Sequence, residues 1–191
     1  MSKYFEIRWH GRGGQGTVTG AKSLAKVVQC TGKCVAAFPE YGPERRGAPI
    51  RAFNRFSDQE IRIHTPVQKP DVVIVVDPTL IGNPAIVEGI GPDTVFLVNT
   101  EVSAADTRKA LGLSGQKVFT VPADSISRAL FKREIPNSAV IGAFARATKG
   151  IVDIGMLLKE SGEIFAEMLG ADLAEKNVEA LRQGYEKGDS I

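Results

Sequence analysis

The first forty residues alternate between strand-like and helix-like patterns of apolar positions. Residues 4–9 alternate as a β-strand does, and the glycine-rich segment 11–16 interrupts them. From about residue 14 to residue 29, apolar side chains recur every three or four positions, which predicts one face of a helix. Gly32 ends that helix, and residues 34–38 predict a second strand.

The middle of the chain contains strand-length apolar segments separated by polar ones. Residues 50–56 and 61–65 flank the turn signal Ser57-Asp58, so the pattern predicts an antiparallel pair. The continuous apolar run 72–76 is typical of a parallel strand buried on both faces. The remaining predicted strands are 94–98 and 117–121, and the predicted helices between strands are 78–88 and 104–111.

The last third of the chain is helical in pattern. Helices are predicted at 124–132, 137–149, 154–169 and 172–187, with Gly170 separating the last two. Strands that alternate with helices favour a parallel sheet covered on both faces. The prediction is therefore an α/β fold: a single Rossmann-like domain over residues 1–191, with a mostly parallel sheet, an inserted antiparallel pair and a helical C-terminal third.

Composition narrows the classes of function. The 191 residues are 43% hydrophobic and 24% charged, which suits one globular domain. A net charge of +2 gives no field that would favour nucleic acid or a membrane surface. No apolar stretch is long enough for a membrane span, and the first ten residues lack the core of a signal peptide. We therefore expect a cytoplasmic protein that binds no nucleic acid.

The two cysteines, Cys30 and Cys34, provide little metal or redox chemistry. Three residues separate them, unlike the two of common zinc and redox motifs. An iron–sulfur cluster takes about four cysteine ligands, so this chain cannot hold one alone. We predict two buried thiols near a helix end and no metal site in the chain.

The glycine-rich segment has the form G-x-G-x-x-G between a strand and a helix. Its residues are Gly11, Arg12, Gly13, Gly14, Gln15 and Gly16. Glycines allow a tight turn and a close approach to a ligand, and the free N–H groups at a helix start attract anions. Two interpretations stay open: a contact with a phosphate-bearing ligand or a partner, and a tight turn that only packs against its neighbours.

A dinucleotide-binding enzyme would place an acidic residue about 20 residues further on, at the end of the second strand. Glu40 stands near that place. The extended polar segment that follows it is unlike the usual strand-to-helix turn, and the chain has little room for a substrate domain. A stand-alone nicotinamide or flavin oxidoreductase is therefore the alternative function.

The segment 38–49 is the most unusual part of the sequence. It combines Glu40, Tyr41, Glu44, Arg45 and Arg46 with prolines and glycines. Arginine's planar group suits two-pronged contact with carboxylate or phosphate. We interpret the segment as a candidate binding site or interface; the alternative is a solvated loop whose arginines pair with its own glutamates.

Four further polar residues lie at strand ends. His10 ends the first strand and is predicted to be structural, whereas His64 receives no role. Asp77 precedes Pro78, which favours a helix-capping role, and Asn99 suits either a ligand or a turn. No nucleophile–base pair stands out, so no catalytic residue is predicted in this chain.

Two motifs together carry a family resemblance. The segments Gly11–Gly16 and Pro39–Gly47 resemble those of the gamma subunit of the 2-oxoacid:ferredoxin oxidoreductases, the pyruvate synthase family. The segment 71–77 is similar to that family's central strand ending in Asp, and the residues from Pro136 to Ala143 are similar to its late helix. The resemblance covers about residues 4–185, nearly the whole chain.

The resemblance implies one subunit of a larger enzyme. In that family, thiamine diphosphate and magnesium belong to the alpha and beta subunits, and the iron–sulfur clusters belong to other subunits, including a ferredoxin-like delta type. The assembly decarboxylates a 2-oxoacid, usually to acyl-coenzyme A and carbon dioxide, and passes electrons to ferredoxin or a similar acceptor. The gamma subunit holds no redox centre, supports assembly and is a candidate for coenzyme A binding. Which 2-oxoacid is used lies mainly with the other subunits.

Overall fold

The computed structural model describes residues 4–40 and 47–191. These residues form one mixed sheet with helices on its faces. Its seven strands are β1 (Phe5–Arg12), β2 (Cys34–Glu40), β3 (Pro49–Ser57), β4 (Val72–Val75), β5 (Val95–Asn99), β6 (Val118–Val121) and β7 (Asp189–Ser190). The helices are α1 (Thr17–Gln29), α2 (Ala104–Ala110), α3 (Ala123–Phe131), α4 (Asn137–Ala147), α5 (Ile154–Leu169) and α6 (Ala171–Glu186).

The strand order is β2-β3-β1-β4-β5-β6-β7. The central strands β1, β4, β5 and β6 run parallel, while β3 is antiparallel to both β1 and β2, and β7 is antiparallel to β6. The predicted α/β fold with a mostly parallel sheet and a helical C-terminal third is therefore confirmed.

Two apolar cores lie on opposite faces of this sheet. The larger core packs Ile7, Trp9 and Ile74 of the strands against α1, α4, α5 and α6. The smaller core packs Val73, Val75 and neighbouring strand residues against α2 and the segment 80–90. Successive residues of β4 serve opposite cores because side chains alternate across a strand. This accounts for the unbroken apolar run that predicted a buried parallel strand.

The strand predicted at 50–56 exists as β3, but its predicted antiparallel partner at 61–65 does not. Residues 61–65 form no strand, and Ile63 is 39% exposed. The strand β3 pairs with β1 on one side and with β2 on the other, so both of its edges are occupied. The segment 61–65 therefore found no free edge on β3, and the antiparallel partners of β3 come from residues before it.

The helix predicted at 78–88 is also wrong. Two short 3₁₀ turns occupy the segment, at Pro78–Leu80 and Pro84–Ile86. The side chains of Asp77 and Asn83 each accept a hydrogen bond from the backbone N–H two residues on. Because Pro84 lacks an N–H group, it would interrupt a continuous helix, and the second turn starts afresh there.

The cysteine prediction is wrong as well, since Cys30 and Cys34 are both exposed. Cys30 follows the last turn of α1, and Cys34 opens β2, which is the edge strand of the sheet. An edge strand leaves one side open to solvent, and this exposes its first residue.

Candidate functional site

The glycine-rich turn begins later than its motif suggests. Gly11 and Arg12 still belong to β1, where they pair with Ile50 and Pro49. The backbone of Gly13 then binds the start of β3: its N–H donates to the carbonyl of Ala48 at 3.0 Å, and its carbonyl accepts from Gly47 at 3.3 Å. The turn is therefore joined to Gly47 and Ala48, and the segment 41–46 that precedes them lies outside the described residues.

Two of the glycines are closely packed against side chains. A Cβ atom on Gly11 would lie 2.0 Å from the hydroxyl oxygen of Thr17, and one on Gly16 would lie 2.4 Å from the amide nitrogen of Asn137. Gly14 differs, because a Cβ atom there would meet nothing within 4 Å. Packing thus accounts for Gly11 and Gly16, whereas Gly14 faces open space.

The amino terminus of α1 has no side-chain cap. Gly16, its N-cap residue, has φ 77°, in the left-handed region, and contributes no side-chain hydrogen bond. The first N–H groups of a helix need partners from outside the helix and carry partial positive charge. The N–H groups at this end of α1 can therefore donate hydrogen bonds to an anionic or carbonyl group of a ligand or a partner.

Arg12, Gln15, Asp77 and Thr79 form a polar clasp that ties the turn to the end of β4. The Asp77 carboxylate accepts from the Gln15 amide at 2.8 Å and from the Thr79 N–H at 2.9 Å, and it pairs with the Arg12 guanidinium at 3.0 Å. Arg12 also donates to the Thr79 hydroxyl at 3.0 Å. Arg12 is thus held in place by a carboxylate in this chain.

Electrostatics in the clasp favour the ionised carboxylate. Burial alone would raise the pKa of Asp77, but hydrogen bonds from Thr79 and Gln15, together with the Arg12 charge, lower that pKa below its ordinary value. The predicted capping role of Asp77 is confirmed, since it is the N-cap of the first 3₁₀ turn. Asp77 also links that turn to the glycine-rich segment.

We expect Asp77→Ala to lower the free energy of unfolding by about 2 kcal/mol, because it leaves Gln15, Thr79 and Arg12 without their shared acceptor. Asp77→Asn should cost about half as much, since the amide oxygen still accepts from Thr79. Urea unfolding followed by the fluorescence of Trp9, the single tryptophan, measures both. Asp58→Ala, which removes an exposed ion pair with Lys33, is the control and should change stability by less than about 0.5 kcal/mol. Equal changes in the free energy of unfolding for Asp77→Ala and for the control would contradict a stabilising role of the clasp.

A cleft opens beside the clasp at the carboxyl ends of β1 and β4. It has a volume of about 290 Å³ and is lined by Gly13, Gly14, Gln15, Val76, Asp124, Glu134 and Pro136. From β1 the chain passes to β2 and β3 on one side, while β4 lies on the other side. Ligands of open α/β sheets bind at such a reversal of strand order. The cleft therefore stands where the fold favours a ligand or partner.

A second cavity of about 320 Å³ adjoins this cleft through Asp124. Asn99 lines the second cavity: its amide donates to Asp124 and to the carbonyl of Val76, both at 2.9 Å, and its oxygen accepts from Ala123. Asn99 is therefore occupied by structural hydrogen bonds. Burial raises the pKa of Asp124 above its ordinary value, with the nearby charge of Glu134 adding to the effect.

Glu40 lies away from the cleft. It pairs with Arg51 of the neighbouring strand β3 through two hydrogen bonds. Because β3 lies between β1 and β2, Glu40 is two strands away from the glycine-rich turn. In a dinucleotide site the acidic residue ends the strand next to the turn, so this geometry does not favour the dinucleotide interpretation. The other residues singled out in the segment, Tyr41, Glu44, Arg45 and Arg46, lie outside the described residues.

His10 is buried and neutral. Its ring nitrogen Nε2 accepts from Arg8 at 3.0 Å, and Arg8 donates to the carbonyls of Ile86 and Glu88. Burial, with the charges of Arg8 and Arg51, lowers the pKa of His10 to about 3. The structural role predicted for His10 agrees with this setting.

Sequence reasoning missed Asp124 and Glu134 as cleft residues. Asp124 follows the end of β6 by three positions, so the rule that ligands bind at carboxyl ends of strands could have indicated it. Glu134 lies in the connection between α3 and α4, and no local pattern marks it.

Among residues 4–40 and 47–191, no three His, Cys, Asp or Glu side chains are arranged to hold a metal ion. In the same residues, no helix is long and apolar enough to cross a membrane.

The sheet, the uncapped α1 terminus and the adjoining cleft define an α/β domain whose candidate contact site lies at the reversal of strand order. Residues 6–187 match the family described as pyruvate ferredoxin/flavodoxin oxidoreductase. The chain belongs to this family and is a gamma-type subunit of a 2-oxoacid oxidoreductase. The resemblance found in the sequence is thereby confirmed.

Individual relatives are similar over nearly their whole length. Pyruvate synthase subunit PorC of Thermotoga maritima is 46% identical over 185 residues, which are 97% of this chain and 95% of that protein. The common gamma subunit of the pyruvate and ketoisovalerate oxidoreductases of Pyrococcus furiosus is 41% identical over 182 residues, 95% of this chain and 96% of that protein. The crystal structure of the Thermotoga pyruvate oxidoreductase subunit superposes with a TM-score of 0.86 at 43% identity and covers 99% of both chains.

Proposed function

We propose that this chain is the non-redox gamma subunit of a multisubunit, thiamine-dependent oxidoreductase that converts a 2-oxoacid and coenzyme A to acyl-coenzyme A and carbon dioxide. Electrons pass to ferredoxin or a similar acceptor. Similarity to subunits named for pyruvate and for ketoisovalerate supports pyruvate or a branched-chain 2-oxoacid as the substrate. The cytoplasmic location and the single domain over residues 1–191 remain predictions.

The family resemblance implies the division of labour among the subunits, and the cysteine count supports it for the iron–sulfur clusters. The whole chain has two cysteines, while an iron–sulfur cluster takes about four cysteine ligands. We therefore assign the clusters to partner subunits, including a ferredoxin-like delta type. We assign thiamine diphosphate and magnesium to the alpha and beta subunits.

Native mass spectrometry of the complex from its source cell tests this assignment. We expect the chain to occur with alpha, beta and delta-type subunits, and we expect its release to leave thiamine diphosphate and the clusters on the others. A purified chain that stays alone and binds NAD(H) at micromolar affinity would instead support the stand-alone dinucleotide oxidoreductase.

The cleft beside Gly14 is the proposed contact site for coenzyme A within the assembly. The observation that carries this is the uncapped amino terminus of α1, which follows the cleft residues Gly13, Gly14 and Gln15 at the reversal of strand order. Helix amino termini at this place bind phosphate groups through backbone N–H. Arg12 contributes little free charge, because Asp77 already pairs with it. In the segment 38–49, Glu40, Tyr41, Glu44, Arg45 and Arg46 remain proposed contacts with a ligand or partner.

The carboxylates of Asp124 and Glu134 provide a test by charge, since both line the cleft and oppose an anion. The double variant Asp124→Asn, Glu134→Gln should lower the KM for coenzyme A about three- to ten-fold in the assembled enzyme, because it removes repulsion of the phosphates. The KM for the 2-oxoacid should stay within about two-fold of the wild-type value. Asp58→Asn with Glu60→Gln, two exposed carboxylates on another surface, is the matched control. An unchanged KM for coenzyme A would refute the contact and leave the turn as a packing element.

A further inference from the structure

The connection between α5 and α6 exposes an unusual amount of apolar surface. All eight residues from 166 to 173, here called the hairpin tip, are exposed, although only Glu167 and Asp172 among them are charged. Met168 is 60% exposed, Leu169 46% and Leu173 44%. Contiguous exposed apolar residues on a folded surface mark an interaction site.

The chain turns sharply at the hairpin tip. Gly170, with φ 83° and ψ 163°, is both the last cap of α5 and the first cap of α6, so a single residue connects the two helices. The two helices pack on each other and, through α6, on α4. The apolar residues are therefore presented on a rigid support, which lowers the entropy cost of binding.

A groove continues from the tip along α6. It has a volume of about 580 Å³ and shares Asp172 with the tip. Its other lining residues are Leu130, Glu175, Lys176, Val178, Glu179 and Arg182. None of these residues lines the cleft or the cavity beside the glycine-rich turn. The tip and groove thus form a surface separate from the proposed coenzyme A contact.

The charge of this surface is acidic. Glu167, Asp172 and Glu175 have no ion-pair partner among the described residues, whereas Arg182 is paired with Glu179. Lys176 also lines the groove and is likewise unpaired among the described residues, so the unpaired carboxylates outnumber the unpaired cation of the groove lining. Lys26 approaches the tip and donates to the sulfur of Met168 at 3.5 Å. A second copy of the chain would bring three unpaired carboxylates and only one unpaired groove lysine against the same set, so net repulsion opposes self-association.

We propose that the hairpin tip and groove form a docking surface for a partner subunit of the same complex, whose contacting segment is apolar and flanked by lysine or arginine. The partner's apolar side chains cover Met168, Leu169 and Leu173, and its cations meet Asp172 and Glu175. An amphipathic helix lying in the groove satisfies both requirements. This inference rests on the proposed function only in that the partner belongs to the oxidoreductase complex.

Binding of the purified chain to the complex of the remaining subunits tests the proposal. Leu169→Ser with Leu173→Ser should raise the Kd at least about ten-fold, because a central apolar contact is lost. Asp172→Lys with Glu175→Lys should also raise the Kd and slow association most at low salt, where long-range attraction is strongest. Wild-type association should slow as salt is added.

Ile63→Ser with Ile191→Ser is the matched control, because these residues are 39% and 48% exposed on other parts of the surface. We expect this control to bind within about two-fold of wild type. An unchanged Kd for the leucine variant would overturn the proposal, as would a chain that dimerises on its own and becomes monomeric in that variant. Either result leaves the proposed function intact if the wild-type chain still assembles with the other subunits. The test of the cleft, which measures the KM for coenzyme A, does not depend on the outcome of this binding experiment.

Discussion

Gly184→Ala and Gly142→Ala should each lower the free energy of unfolding by about 3 kcal/mol, although alanine ordinarily stabilises a helix. A Cβ atom on Gly184 of α6 would lie 1.9 Å from the carbonyl oxygen of Ala139. A Cβ atom on Gly142 of α4 would lie 1.9 Å from the carbonyl oxygen of Leu181. Both obstacles are backbone atoms of a packed helix, so neither can rotate away as a side chain would.

The physical cause is the close crossing of α4 and α6. Relief of either clash requires the two helices to separate, and the buried side chains between them, including Phe144 and Leu181, would lose contacts. Denaturant unfolding followed by helical circular dichroism measures the effect. We expect the denaturant concentration at the midpoint of unfolding to fall, while the slope of the unfolding free energy against denaturant concentration stays constant because the unfolded state is unchanged.

Gly162→Ala provides the matched control. Gly162 lies within α5, and its added Cβ atom would meet Val178 Cγ2 at an ordinary 3.5 Å. Because alanine has the higher helix propensity, we expect this variant to gain up to about 1 kcal/mol. If all three variants behaved alike, the close crossing of α4 and α6 would be contradicted.

The second large effect is a loss of stability in mild acid that depends on His10. The pKa of His10 falls from 6.5 to about 3 because of burial and the charges of Arg8 and Arg51. The unfolded chain therefore binds a proton below about pH 6.5 that the folded chain does not bind. The stabilising contribution is complete above pH 6.5 and is lost progressively as the pH falls towards 3. The slope is about 1.4 kcal/mol per pH unit, or about 2 kcal/mol between pH 7 and pH 5.

The measurement compares unfolding free energies of the wild type and of His10→Gln at pH 7, 6 and 5. Glutamine can still accept a hydrogen bond from Arg8 but does not titrate. The loss of unfolding free energy between pH 7 and pH 5 should therefore be about 2 kcal/mol smaller in the variant than in the wild type, whatever the stability of the variant at pH 7. His64→Gln is the control, because His64 is exposed and is the only other histidine. A His10→Gln variant with the wild-type pH dependence would contradict the buried neutral ring.

The difference between prediction and structure is clearest around β3. Local periodicity correctly indicated that residues 50–56 form a strand and that an antiparallel pair interrupts the parallel order. It also marked 61–65 as a strand, since alternation records only which face a residue would present. Whether a partner edge is free depends on the other strands, and β1 and β2 had already taken both edges.

The candidate site likewise combines features that the local sequence indicated with contacts that only the tertiary structure decided. The motif from Gly11 to Gly16 indicated a turn between strand and helix, which the structure contains. The sequence could not indicate that Gly16 packs against Asn137, a residue 121 positions away, or that Asp77 would take the charge of Arg12. Such contacts depend on where α4 and β4 come to lie, and that is decided by the packing of the whole sheet.

The sequence by itself determined the class of fold, most of the order of strands and helices and, through the paired motifs in Gly11–Gly16 and Pro39–Gly47, the family. These features follow from local periodicity and short motifs, which need no long-range contact. The tertiary structure alone decided which strands are neighbours, which carboxylates line the cleft and which apolar residues stay exposed at the hairpin tip. The reason is that burial, charge pairing and strand partners are properties of residues distant in sequence, and they are fixed only when all elements pack together.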